Sequence, residues 1–143
     1  MRSVSEIAPD APELRSALEA AELPTDDLTD AGRRFFRFDA SGEAVAYGGY
    51  ELHGDHALLR SVVVLPEQRG RGFGTMATEE VLRRASAAGA RDAYLLTTTA
   101  EAFFQRAGFV SIDRSEVPQA ILETRQAASI CSTAALLVRK LHD

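Results

Sequence analysis

The chain has 143 residues, 45% of them hydrophobic, and its 16 Lys and Arg against 21 Asp and Glu give a formal net charge of −5. That length fits one domain, residues 1–143, burying roughly two thirds of its unfolded surface, and the acidic balance excludes a nucleic-acid partner, which calls for a basic face. A lone Cys131 excludes an internal disulfide framework and suits a reducing cytoplasm, no apolar run approaches the ~20 residues of a membrane span, and Met1 to Asp10 lacks the form of a signal peptide.

In chain order, Arg2 to Ile7 alternates as a short strand. Leu14, Ala17, Leu18 and Ala21 repeat at helical spacing after Asp10 and Pro12, which predicts a helix through Glu22 that Pro24 ends. Leu23 to Leu28 reads as a loop or short turn. Arg34 to Phe38 and Ala44 to Leu52 predict strands around a turn at Ser41-Gly42, and Gly54-Asp55 turns the chain into Ala57 to Leu65, completing an antiparallel meander. Phe73, Ala77, Val81, Ala85 and Ala88 share one face of a helix that Gly89 stops. Beyond it the pattern predicts a buried strand at Ala93 to Thr97 and a short helix over Glu101 to Ala107, capped by one of Thr97 to Thr99 and stopped by Gly108. A strand at Phe109 to Ile112, a short helix at Pro118 to Glu123 and a last strand at Thr133 to Leu141 follow.

The most informative stretch joins the third meander strand to the long helix. It reads Val62-Val63-Val64-Leu65-Pro66-Glu67-Gln68-Arg69-Gly70-Arg71-Gly72-Phe73-Gly74-Thr75. Three glycines in five positions let successive N–H groups converge on an anion, and the helix opening near Phe73 adds unpaired N–H groups and the positive end of its dipole. Arg69 and Arg71 add charge and forked donors. The loop is no nucleotide P-loop, because the Lys-Ser/Thr ending is missing. A Rossmann turn needs Gly-x-Gly-x-x-Gly and an acidic residue on the next strand, whereas here the glycines alternate and that strand has only Asp92 at its start.

The stretch Arg69 to Gly74 resembles the Gln/Arg-x-x-Gly-x-Gly/Ala signature of the GNAT N-acetyltransferases, and Phe103-Phe104-Gln105-Arg106-Ala107-Gly108-Phe109 resembles that family's Phe-Tyr-x-x-x-Gly-Phe ending of a short helix. The order of elements is also the family's. The resemblance implies an α/β (α+β) fold with a mixed central sheet of about six to seven strands flanked by helices. It also implies acetyl-CoA as cosubstrate, without a metal, and direct transfer of acetyl to the amine of a small-molecule acceptor. On these positions it puts the pyrophosphate at Arg69, Gly70, Arg71, Gly72, Phe73, Gly74 and Thr75, the pantetheine arm along Val62, Val63 and Val64, and the thioester near Val62, whose N–H stabilises the oxyanion, with Phe104 beside the sulfur. A homodimer is left open.

The chain departs from the family where a tyrosine usually protonates the sulfur, since Phe104 has no proton to give; Tyr47, Tyr50 or a water are substitutes. The usual carboxylate positions are Leu58 and Arg60, which leaves Glu51 as the best general base, or else an ordinary solvated charge. His53 and His56 have no cysteine near them in sequence, and Cys131 reads as a small buried hydrophobe. Arg60 sits inside an apolar strand and needs a partner, either Glu51 or the carboxylate of a substrate. Strict alternation puts Arg60 on the face of Val62 and Val64, about 7 Å from the acyl position, which suits an anionic amine, with Thr97, Thr98, Thr99 and the Gln126 to Ser132 tail closing the pocket.

Three segments resemble a narrower group, the GNAT proteins associated with bacterial arsenic resistance: Ala57 to Val64, Leu95 to Thr99, and the tail carrying Pro118, Ala120, Ile121, Thr124, Gln126, Ser129, Cys131 and Ser132. That likeness implies an amino acid or an arsenic-containing or phosphinic amino-acid analogue as acceptor, in resistance or detoxification. One cysteine cannot chelate trivalent arsenic as several thiolates would. The alternative reading is a low-turnover regulatory module that binds acyl-CoA, suggested by Phe104 and by the missing carboxylates at Leu58 and Arg60.

Overall fold

A computed structural model describes residues 2–124 and 134–141. Strands β1 (Arg2–Ile7), β2 (Arg33–Ala40), β3 (Glu43–His53) and β4 (His56–Val64) form the antiparallel meander that the turn residues predict. With β5 (Asp92–Thr97), β6 (Val110–Ser111) and β7 (Ala135–Lys140) they make a seven-stranded sheet in the order β1-β2-β3-β4-β5-β7-β6. Every neighbouring pair is antiparallel except β4 and β5, which makes the sheet mixed as expected.

Helices α1 (Pro12–Ala20), α2 (Phe73–Ala87), α3 (Glu101–Arg106) and α4 (Gln119–Leu122) flank the sheet. The α2 stripe Phe73, Ala77, Val81 and Ala85 packs on Phe36, Phe38, Ala46, Tyr50, Ala57 and Leu59, and Phe104 of α3 joins the same side. Leu14 and Leu18 of α1 bury themselves on the other face against Phe35, Tyr47 and Val63, while Ile121 of α4 meets Leu58 and Tyr94. Gly89, at φ 109°, ends α2 in the left-handed region that glycine alone enters without a Cβ penalty.

One local expectation changes. The N-cap of α3 is Ala100 with no side-chain cap; Thr97 instead uses its hydroxyl oxygen to accept the Ala100 N–H at 3.0 Å, tightening the turn before the helix. Short 3-10 turns form at Pro66–Gln68 and Arg114–Glu116. The tail residues Gln126, Ser129, Cys131 and Ser132 lie outside the described residues, as does Thr133, and β7 is described from Ala135.

Candidate active site

Parallel pairing of β4 with β5 lasts for His56↔Asp92, Ala57↔Ala93 and Leu58↔Tyr94 and then stops. Beyond Leu58 the strands diverge and leave a cleft of about 570 Å³. One wall is Leu59 to Val64 of β4, and the other runs from Leu95 to Ala100, with Arg69 and Phe104 also lining it. Val62, Val63, Val64, Thr97, Thr98, Thr99 and Phe104 therefore line one cleft. The segment Ala21 to Pro24, just after α1, contributes to the same lining and escaped the sequence reading.

The glycine loop has the geometry of an anion cradle. Gly70 and Gly72 sit at φ 80° and 81°, and a Cβ at either would meet nothing within 4 Å, so the space beside the backbone is open. Gly72 is the N-cap of α2 and supplies no side chain. The first helical hydrogen bond there is Met76 N–H to Gly72 carbonyl at 3.1 Å, so the N–H groups of Phe73, Gly74 and Thr75 precede the helical ladder. The ring of Phe73 is core. Gly74 is small for another reason: its Cβ would come within 3.2 Å of Phe103 and 3.5 Å of Val64, tying the loop closely to α3 and β4.

Strand β4 does not keep strict alternation. Gly49 pairs with Arg60 and Tyr47 with Val63, so Ser61 and Val62 together face the single residue Gly48, and Ser61 takes φ 60°. The extra residue reverses the faces. Arg60 follows Leu58 to the α1 side, whereas Val62 and Val64 pack toward α2 with Leu59. The expectation that Arg60 shares a face with Val62 is thus corrected.

The role of Arg60 changes with it. Its side chain is fully buried, and its guanidinium donates to both Asp27 carboxylate oxygens at 2.6 and 2.8 Å and to Glu51 at 2.7 Å. Of the two partners left open by the sequence, the structure gives it Glu51 and adds Asp27, which no local pattern pointed to. Glu51, read as the general base, is also fully buried; it accepts from Arg60, faces Arg33 at 3.2 Å and His53 at 2.9 Å, and does not line the cleft. Buried, paired with two guanidinium groups and outside the cleft lining, Glu51 is not placed to meet an acceptor amine. Burial works against the charge of Asp27, but Arg60 and Arg33 outweigh it and hold that carboxyl below its usual range.

Neither proposed tyrosine reaches the cleft. Tyr47 donates to Glu13 of α1 at 3.2 Å, and burial together with that carboxylate pushes its hydroxyl up to about 12. Tyr50 stacks on Phe36 within the α2-side core, and burial raises it too. Phe104 lines the cleft with its ring edge-on to Phe103 and Phe109. Among the described residues that line the cleft, Glu22 is the carboxylate outside the Arg60 network, and it occupies φ 59° where α1 ends.

The model of the acetyltransferase (GNAT) family matches residues 2–109. A search of curated proteins finds no matching sequence. Among solved structures, an acetyltransferase of the GNAT family from Staphylococcus aureus superposes with a TM-score of 0.75 at 17% identity, covering 97% of this chain and 99% of that one. Rv2747 from Mycobacterium tuberculosis, solved in complex with CoA and NLQ, gives 0.75 at 18% identity over 96% and 98%. N-acetylglutamate synthase from Neisseria gonorrhoeae, complexed with coenzyme A and L-arginine, gives 0.80 at 18% identity, and this chain spans about a third of its length, 34%, with 99% of its own. With the family model matching most of the chain, and the diverging strands and glycine cradle in their places, the protein belongs to the GNAT family of acetyltransferases.

Proposed function

We propose that the chain is a single catalytic domain that moves the acetyl group of acetyl-CoA directly to the amine of a small molecule. The observation that carries this reading is the end of β4–β5 pairing at Leu58 and Tyr94, which opens a cleft lined by Arg69, at the edge of the glycine cradle. The cradle fits a pyrophosphate: Gly70 and Gly72 leave room, α2 presents its first N–H groups, and Arg69 and Arg71 supply positive charge. Val62 to Val64 offer the pantetheine an edge to pair with, as an added strand would.

The backbone N–H of Val62 is the donor to the oxyanion as the amine nitrogen attacks the thioester carbonyl, a contribution of about 3 kcal/mol. The carbon–nitrogen bond forms and the carbon–sulfur bond breaks. With Phe104 beside the sulfur and neither Tyr47 nor Tyr50 in the cleft, the thiolate leaves unassisted; the proton lost by the amine nitrogen passes to water, and water returns one to the thiolate. Arg60 is paired with Glu51 and Asp27 below this surface, with Arg33 completing the charge balance, so an acceptor's carboxylate is not met by a free Arg60.

Amino acids and their arsenic-containing or phosphinic analogues remain the first acceptors to test, on the resemblance of Ala57 to Val64 and Leu95 to Thr99 to the arsenic-resistance group. Such chemistry belongs in the cytoplasm; among the described residues no helix is long and apolar enough to cross a membrane. The competing reading, a CoA-binding module with little turnover, is favoured by Phe104 and by the engagement of Glu51. Free thiol release across a panel of primary amines, amino acids and these analogues decides: acceptor-dependent release supports a transferase, and tight CoA binding with none supports the module.

A further inference from the structure

Four charged side chains from four segments meet between the two apolar clusters of the α1 face: Asp27 from the connection after α1, Arg33 of β2, Glu51 of β3 and Arg60 of β4. Their side chains are between 0% and 7% exposed. Two cations balance two anions, with Arg33 reaching Asp27 and Glu51 at 3.2 Å each. Well-packed apolar residues commonly stabilise a fold as much as a buried ion network does, so stability is a weak account of this one. What the network adds is direction. Arg60 grips the chain at Asp27, five residues past the cleft-lining Glu22, and its Nε–H donates at 3.1 Å to the hydroxyl of Ser61, the residue held at φ 60° in the β4 bulge. The next residue is Val62, which has no partner in register on either β3 or β5.

We propose that Arg60 is a positioning residue: anchored by Asp27 and Glu51, its guanidinium holds the Ser61 bulge and so fixes the Val62 N–H at the acyl position. The proposal rests on the transferase reading of the cleft. A guanidinium suits the task because its planar fork binds Asp27 at two points while Nε is aimed elsewhere, which an ammonium cannot do. A donor displaced by about 1 Å loses on the order of 100-fold in rate, so a modest relaxation of the bulge is readable in turnover.

The test pairs kinetics with amide exchange on the CoA-loaded full chain. Arg60→Lys is expected to lower kcat at least tenfold while CoA affinity stays within threefold, and to speed exchange at Ser61 and Val62 while the amides of α2 and β7 keep the parent rates. Ser61→Ala removes only the acceptor of Nε, and serves if Arg60→Lys fails to fold; it should lower kcat three- to tenfold with the same local exchange. A merely structural role would speed exchange throughout and lower kcat only with the folded fraction, and that result overturns the proposal. So does a loss of kcat with unchanged bulge amides, or faster bulge amides with unchanged kcat. If the parent turns over no amine, the transferase reading falls, and unchanged exchange at Ser61 and Val62 in both variants would separately remove the hold on the bulge.

Discussion

Glu22 and Ser61 are both held at left-handed φ, 59° and 60°, and both line the same cleft. Side chains at such angles cost about 1 kcal/mol or more. At Glu22 the backbone closes α1 in the usual six-to-one manner, Leu23 N–H donating to Leu18 carbonyl at 2.9 Å, and glycine is the residue that this position prefers. Glu22→Gly should therefore stabilise the fold by about 0.5–1 kcal/mol, raising Tm by roughly 2–4 °C. Thermal unfolding checks it, and an unchanged or lower Tm would mean that the side chain contributes contacts outweighing its strain.

The cradle yields a second expectation. In Gly72→Asp the new carboxylate would stand in the open space beside the α2 N-terminus, where phosphate oxygens belong, at a strain of about 1 kcal/mol. The variant should keep parent-like circular dichroism and lose calorimetrically detectable CoA binding. Retained affinity in the folded variant would displace the cofactor from this loop.

Phe104→Tyr adds a hydroxyl to a ring that lines the cleft while leaving its edge contacts to Phe103 and Phe109. CoA affinity is expected to stay within threefold and kcat not to fall. Where thiolate departure limits the rate, general acid assistance raises kcat, up to about 100-fold. Loss of CoA binding would show that no hydroxyl fits.

Asp27 sets an acid limit on stability. Burial opposes its ionisation, yet Arg60 and Arg33 hold its folded pKa below the unfolded value of about 3.9. Its stabilising contribution is thus fully present above about pH 4 and is lost as pH falls through the lower folded value. Asp27→Asn strips Arg60 of its two-point partner and should cost on the order of 3 kcal/mol at neutral pH. Urea midpoints at pH 7 and pH 3 should differ less in this variant than in the parent, and an equal fall in both would assign the acid loss to other carboxylates.

Much of the fold is legible because local pattern and final structure agree. The α2 stripe from Phe73 to Ala85, the turns at Ser41-Gly42 and Gly54-Asp55, and the left-handed Gly70 and Gly72 carry their structure in short-range chemistry. Reading stops where the determinant is distant or a local rule is broken. The bulge has Ser61, not glycine, at its left-handed position, so the run from Leu58 to Val64 looks like plain alternation and the face of Arg60 comes out inverted. Asp27 lies 33 residues before Arg60 in a connection without periodicity, so nothing near either residue marks their pairing. Glu51 looked available only because its two arginines arrive from β2 and β4.

The seam between β4 and β5 has a mechanical consequence. Three matched pairs join a four-stranded half, β1 to β4, to a three-stranded half, β5, β7 and β6. A sheet pinned at one end opens like a pair of compasses about Ala57 and Ala93, and whatever occupies the gap acts as the missing rungs. On the proposed function the acetyl group is spent at every turnover but the arm that fills the gap is not, so the two halves stay braced until CoA itself departs and are unbraced between one turnover and the next.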